Sequence, residues 1–321
     1  MNSKLTIYIL TYNRAVFLKE CLDSVLAQTY KNFDVIVLDN GSTDNTEEVM
    51  SSFSDSRIRY VKRPKNIGGN NNFLDGFYSC NSDYFMIFHD DDIMSPYLVG
   101  NEIELLEKNK DCVVACCRAH RFTKTEEICD KVSINEGISQ FSGEQIFMNY
   151  IRDRRTFVFP SFMYRTNFLR KNDITLKPDA GPCNDVILYS DIGLAGGIIC
   201  ELDSELMHYR VHPGQDSVIN EDAMHWRLFD YLKQDSRYRE LLNKYSKEQA
   251  YYFRIVRGGV FRDAVLRKYN RKESINRLDG YANRIGHRKI DYLIGKLAIN
   301  VTSLLPKVSY SWYTKRKMNC V

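Results

Sequence analysis

Three consecutive carboxylates, Asp90, Asp91 and Asp92, follow His89 at the end of the apolar run Tyr84-Phe-Met-Ile-Phe88. Like charges this close destabilise one another unless a cation or a basic group offsets them. Carboxylate oxygens suit the hard cations Mg2+ and Mn2+, which can also bridge phosphate oxygens. An isolated acidic turn could equally be left to solvent. Two more polar clusters end similar runs, however. Thr11, Tyr12, Asn13 and Arg14 follow residues 5–10, and Asp39, Asn40, Gly41 and Ser42 follow residues 33–38.

The elements that must position these clusters alternate. Residues 5–10, 33–38, 58–61 and 84–88 are short, β-branched and apolar, and read as strands. Phe17, Leu18, Cys21, Leu22, Val25 and Leu26 recur at helical spacing between the first two. A helix is expected from Thr43 or Asp44 to Met50, with Glu47 and Glu48 suited to its first turn. A Gly/Asn-rich loop over residues 65–72 opens another near Phe73. Alternation of this kind predicts an α/β fold with a mainly parallel central sheet covered on both faces. Ligands of such sheets bind beyond the carboxyl ends of the strands, where the three clusters fall. No glycine fingerprint follows the first strand, which disfavours a dinucleotide fold. Beyond residue 112 the pattern is mixed. Strands are expected at 113–117, 198–200 and 206–207, and helices at 142–150, with Ser142 and Gln145 as a capping box, and at 185–195.

Of 321 residues, 44% are apolar and 27% charged, as in ordinary globular proteins. The nine cysteines have neither a disulfide framework nor zinc spacing, and the first residues lead straight into a strand. The expectation is a cytosolic protein with reduced thiols. The net charge of +4 hides an asymmetry. Residues 221–321 hold 22 Lys and Arg against 10 Asp and Glu, leaving 23 against 31 in the rest. Such segregation suggests two domains with different tasks, 1–215 and 216–321.

The segments ILTYNRAVFLKECLDSVLAQTYKNFDVIVLDNGSTDNT, KNIGGNNN and FMIFHDDDIMSP together resemble the inverting glycosyltransferases of family two, which have the GT-A nucleotide-sugar-binding fold. The resemblance spans roughly residues 1–215 and implies transfer from a nucleotide-diphosphate sugar, UDP foremost, with Mn2+ or Mg2+. By this correspondence Thr11, Tyr12, Asn13 and Arg14 contact the donor, with Tyr12 near the base and Asp39 accepting a hydrogen bond from it. Asp90 would contact the ribose or metal, Asp91 would be the principal metal ligand, and Asp92 and His212 would join it. His89 stands where relatives often carry another aspartate. Asn66, Gly68 and Asn71 correspond to a donor-side loop in which relatives often have an arginine; Arg63 or Lys65 is the expected substitute. Asn184-Asp185 aligns with the pair that supplies the catalytic base, making Asp185 the base and Asp191 a weaker alternative. In YRVHPG, Arg210 would neutralise charge beside His212. The resemblance further implies a glycan or polyprenyl-diphosphate-linked acceptor in O-antigen or capsule synthesis. A nucleotidyltransferase is the alternative enzyme, although the loop at 10–14 lacks its glycines; a non-catalytic scaffold is the alternative outside enzymes.

In residues 289–305, Ile290, Leu293, Ile294, Leu297, Val301, Leu304 and Leu305 share one helical face, and Lys289, Lys296, Asn300 and Ser303 another. Pro306 stops the helix, and an aromatic, basic segment from Tyr310 to Lys317 follows. The pattern fits peripheral attachment to the cytoplasmic face of an inner membrane. It equally fits a packing or homo-oligomer-forming helix. No nucleic-acid-binding signature is present.

Overall fold

The computed structural model describes residues 3–128, 137–153, 157–212, 214–215, 221–266 and 268–302. The unbroken apolar runs become strands buried on both faces. β1 (Leu5–Thr11), β2 (Phe33–Asp39), β3 (Ile58–Lys62) and β4 (Tyr84–His89) pair in parallel in the order β3-β2-β1-β4. The crossovers are α1 (Ala15–Leu26), α2 (Thr46–Ser51) and α3 (Gly69–Ser79). Side chains alternate across the sheet. Leu5, Ile7 and Ile9 pack with Leu18, Leu22 and Val25 of α1, whereas Tyr8 packs with Phe73 and Phe77 of α3. The register sets Thr11 opposite Asp39 and Leu10 opposite His89, so the three polar clusters lie side by side.

The mainly parallel sheet gains antiparallel strands in its second half. There follow β5 (Ile93–Met94), α4 (Leu98–Lys108), β6 (Cys112–Phe122), β7 (Ile138–Ser142), α5 (Glu144–Asp153), β8 (Met163–Arg165), α6 (Thr166–Lys171), α7 (Asn184–Leu194) and β9 (Ile198–Arg210). β8 runs antiparallel between β4 and β6, and β5 and β7 run antiparallel to β9, so the sheet is mixed. A three-residue strand such as Met-Tyr-Arg carries no period to read. The two short strands expected near 198 and 206 are one, β9. Ser142 ends β7 rather than capping a helix; α5 starts at Glu144 after Gly143, whose φ is +55°.

By compactness the chain divides into one unit of Met1–Phe147, Thr156–Pro178 and Asn184–Ile219, and a second of Met148–Arg155, Asp179–Cys183 and Asn220–Val321. The second contains α8 (Glu221–Gln234), α9 (Ser236–Lys244), α10 (Ser246–Val265), α11 (Arg271–Ala282) and α12 (Lys289–Thr302). Asn270 and Glu273 form a capping box at the start of α11. Leu304, Leu305, Pro306 and the aromatic, basic segment lie outside the described residues. Among those described, no helix is long and apolar enough to cross a membrane.

One core residue defies its environment. Glu102 of α4 is fully buried, and neither carboxyl oxygen has a hydrogen-bond partner among the described residues. Burial pushes its pKa well up, against a smaller opposing effect of the Cys117 thiol. The folded protein therefore holds this proton more tightly than the unfolded chain, and stability falls as pH rises above the unfolded value of about 4.3. Glu102→Met should raise the urea-unfolding free energy by about 1–3 kcal/mol at pH 7. The gain should shrink at pH 4.5; an equal gain at both values would refute the buried-proton account.

Candidate functional site

The loops at the strand ends are stitched to one another. Asn13 adopts φ +52°, a left-handed conformation asparagine tolerates. Its N–H donates to Ser42 Oγ at 2.9 Å, and its Oδ1 accepts from Thr43 N at 2.8 Å. Thr11 O accepts from Asn40 N at 2.9 Å. Asp44, in the neighbouring loop, accepts from Ala15 N at 3.0 Å and so caps α1. Asn40 donates to Asn66 Oδ1 at 2.9 Å and accepts from Ile67 N at 2.8 Å, tying in the third loop. Gly41, at φ +81°, lies against that loop: a Cβ there would come 2.7 Å from the Lys65 carbonyl carbon.

Within this frame Tyr12 is 42% exposed, as a stacking surface requires. Asp39 is fully buried; its Oδ1 accepts from Ser42 N at 2.8 Å and its Oδ2 from the Tyr60 hydroxyl at 2.5 Å. Burial and Asp39 together push the Tyr60 hydroxyl up, which keeps it a donor. Each Asp39 oxygen retains a second lone pair. Asn66 Oδ1 also accepts from Gly68 N at 2.7 Å, whereas the Asn71 amide turns back onto Ile67 O at 2.7 Å. Arg63 does not substitute for the missing arginine. Its guanidinium is held by Asn72 at 2.8 Å and Asp75 at 2.6 Å, anchoring α3, while Lys65 is exposed.

The aspartates are nearly sealed: Asp90, Asp91 and Asp92 are 1%, 5% and 1% exposed. Arg14 bridges two of them, reaching Asp90 Oδ1 and Asp91 Oδ2 at 3.1 Å each. His212 Nε2 lies 2.9 Å from Asp91 Oδ2. Burial pushes Asp91 up, but His89, His212 and Arg14 bring it below the usual carboxylate range. Asp90 is pushed up to about 6 by burial, with Arg14 opposing and Asp91 adding. Asp92 is driven well up by burial and by Asp91. Its Oδ1 accepts from Arg210 N at 2.9 Å.

Arg210 is held by contacts within the protein. Its guanidinium lies between the Phe17 and Phe122 rings, with centroids at 4.7 and 4.5 Å, donates to Asp91 O at 2.8 Å, and pairs with Glu20. Asp90 Oδ2 and Asp92 Oδ2 are buried with no hydrogen-bond partner among the described residues. His89, Asp91 and Asp92 each offer a ligand atom, all within 4.8 Å of one another. One imidazole nitrogen, two carboxylates and orphaned oxygens fit a divalent cation. His89 thus joins Asp91 and Asp92 in the compact group, with His212 beside Asp91.

Asp185 stands in the first turn of α7, partly buried. Burial raises its pKa to about 6, against the Val186 N–H and the Tyr189 hydroxyl, which donates over 3.5 Å. Its neighbour Asn184 donates to Asn70 Oδ1 of α3 at 3.1 Å. Tyr189 packs on Phe159 (centroids 6.2 Å) and Phe159 on His89 (6.0 Å), joining this helix to the aspartate end of β4. Asp191, the alternative base, is buried further along α7.

The sequence model of glycosyl transferase family 2 matches residues 6–175, more than half of the chain. The chain belongs to glycosyl transferase family 2. Among relatives of this family 2 chain, an uncharacterized glycosyltransferase of Rickettsia typhi is 36% identical over 113 residues, 35% of this chain and 35% of that protein. The match thus spans about a third of that relative's length. The fold resembles that of S. aureus TarS residues 1–349 in complex with UDP-GlcNAc, with a TM-score of 0.65, 14% identity, and 94% and 89% of the two chains covered. It also resembles mannosyltransferase PcManGT from Pyrobaculum calidifontis in complex with GDP-Man and Mn2+, with a TM-score of 0.58, 14% identity, and 96% and 89% covered. The fold is therefore of the GT-A kind, with a helical C-terminal region.

Sequence reasoning overlooked Asn40, which ties two loops together, Tyr60, which holds Asp39, and Glu20, which holds Arg210; Asn40 alone carried a signal, as a member of the second cluster. Removing the Arg210 guanidinium leaves Glu20 without its ion pair and the Asp91 carbonyl without its donor, whereas the backbone bond to Asp92 stays. Arg210→Met should lower the urea-unfolding free energy by about 3 kcal/mol. Glu20→Gln, which keeps a hydrogen-bond acceptor at a more exposed position, should cost about 1 kcal/mol. Equal losses would show that Arg210 acts only through Glu20.

Proposed function

We propose that this chain is an inverting, metal-dependent glycosyltransferase that moves a sugar from a nucleotide-diphosphate donor to an acceptor hydroxyl. The observation that carries the reading is the compact His89, Asp91 and Asp92 group beside two orphaned carboxylate oxygens, at the strand ends where donor-binding loops meet. UDP is the preferred donor nucleotide. TarS, of like fold, has been solved with UDP-GlcNAc, whereas PcManGT was solved with GDP-Man.

In this reading Tyr12 stacks on the base and Asp39 accepts its N–H, held in orientation by Tyr60 and Ser42. Thr11, Asn13, Asn66 and Gly68 line the donor side, and Asp90 meets the ribose. Arg14, freed from the aspartates, turns to the diphosphate. Asp91 and Asp92 hold the cation with His89, and His212 closes over it. A cation bound there supplies positive charge to the departing diphosphate. Asp185 takes the proton from the acceptor hydroxyl as its oxygen bonds to the anomeric carbon and the bond to the diphosphate oxygen breaks, which inverts that carbon. Its raised pKa suits a base that must be ionised near neutrality yet basic enough to accept. The acceptor is a glycan or a polyprenyl-diphosphate-linked intermediate of O-antigen or capsule synthesis, met at the cytoplasmic face of the inner membrane.

Asp185→Asn should lower kcat by about 10²–10⁴-fold while leaving donor affinity nearly unchanged. In the native enzyme kcat/KM should fall tenfold per pH unit below about 6, where Asp185 is protonated. Normal turnover by Asp185→Asn would remove it as the base. Asp91→Asn should abolish the rise in melting temperature that Mn2+ and UDP together give the native chain. Survival of that rise would exclude Asp91 as the principal ligand.

A further inference from the structure

The amphipathic pattern of α12 is inverted with respect to the protein. Its buried residues are Asp291, Gly295, Ile299 and Thr302. Asp291 pairs with Arg257 at 3.4 Å and Arg288 at 2.9 Å. Gly295 approaches Leu278 and Arg257 so closely that a Cβ would meet them at 2.9 and 3.0 Å. Ile290, Leu293, Ile294, Leu297 and Val301 instead face outward, between 47% and 65% exposed. At 3.6 residues per turn these five fall within an arc of about 100°, with Lys289 and Lys296 along one edge, the latter paired with Asp279 at 3.3 Å.

Two observations select what covers this stripe. A helix of 14 residues is about 21 Å long, and a single stripe along it falls far short of the roughly 800 Å² per partner of an ordinary protein interface. A second copy is therefore poorly served. The C-terminal sequence is strongly basic: residues 221–321 hold 22 basic against 10 acidic side chains, and Lys307, Lys315, Arg316 and Lys317 are among the 22. Basic segments beside apolar ones are drawn to anionic lipid headgroups, and such a helix lies in the interface rather than across the bilayer. We propose that the exposed face of α12 docks on an anionic lipid bilayer, with Ile290, Leu293, Ile294, Leu297 and Val301 inserted at the headgroup boundary. The proposal stands on the surface of α12 and not on the transfer chemistry, so each can fail alone.

The test is flotation of the full chain with phosphatidylglycerol–phosphatidylethanolamine vesicles and with phosphatidylcholine vesicles. The native chain should bind the anionic vesicles at least about tenfold more tightly, and the preference should fade as salt shortens the screening length. The double variant Leu293→Asp, Leu297→Asp should lose about a hundredfold in affinity, since each leucine no longer leaves water. Both sites are exposed, so its melting curve should match the native one. Three results would overturn the proposal: no binding of the native chain to anionic vesicles, undiminished flotation of the double variant, or a native dimer in sedimentation that Leu297→Asp splits.

Discussion

Burying three adjacent carboxylates is the constraint around which the sheet-containing unit is organised. Moving a charge out of water costs several kcal/mol even after relaxation, and repulsion between neighbours adds to it. Arg14 and His212 answer it at Asp91, and Arg210 answers it from beneath through its backbone and its guanidinium. Each of these groups must itself be held. Arg14 sits at the start of α1, whose first N–H is capped by Asp44, and Arg210 is clasped by Phe17, Phe122 and Glu20. The compensation is partial, because Asp90 Oδ2 and Asp92 Oδ2 have no hydrogen-bond partner among the described residues. A cation is what such a residue set leaves room for.

The candidate base lives under the opposite regime. Asp91 is drawn below the usual carboxylate range because positive neighbours outweigh its burial, whereas Asp185 rises to about 6 because burial dominates and no cation among the described residues opposes it. Two carboxylates of one chain are thereby suited to two tasks, one to stay ionised and one to exchange a proton near neutrality. Phe159 stands between His89 and Tyr189 of α7.

How much of this was legible in the sequence follows from the range of each interaction. Strand ends carry local signals, so the three clusters and their adjacency could be read from alternating runs. Asp185 was reachable through family correspondence alone. Arg63 misled because its partners, Asn72 and Asp75, lie nine and twelve residues away on α3, and nothing local distinguishes an anchoring arginine from a binding one. Tyr60 acts on a carboxylate of the neighbouring strand and Arg210 on one in the turn between β4 and β5, and β8 is too short to show a period. These features depend on the register of the sheet, which no single segment encodes.

The C-terminal helices pose the converse problem, where the periodicity was read correctly but its direction was open. A helix whose apolar face meets its own protein and one whose apolar face meets something else give the same pattern in sequence. α12 separates them because its inward side is made of a paired aspartate, a glycine and a threonine around one isoleucine. The glycine permits close approach, and the aspartate satisfies Arg257 and Arg288, so the helix is fastened by polar and steric fit rather than by its aliphatic residues. Leaving five aliphatic side chains in water forgoes the burial that normally fixes a surface helix. That arrangement is coherent only where the outward side does not remain in water.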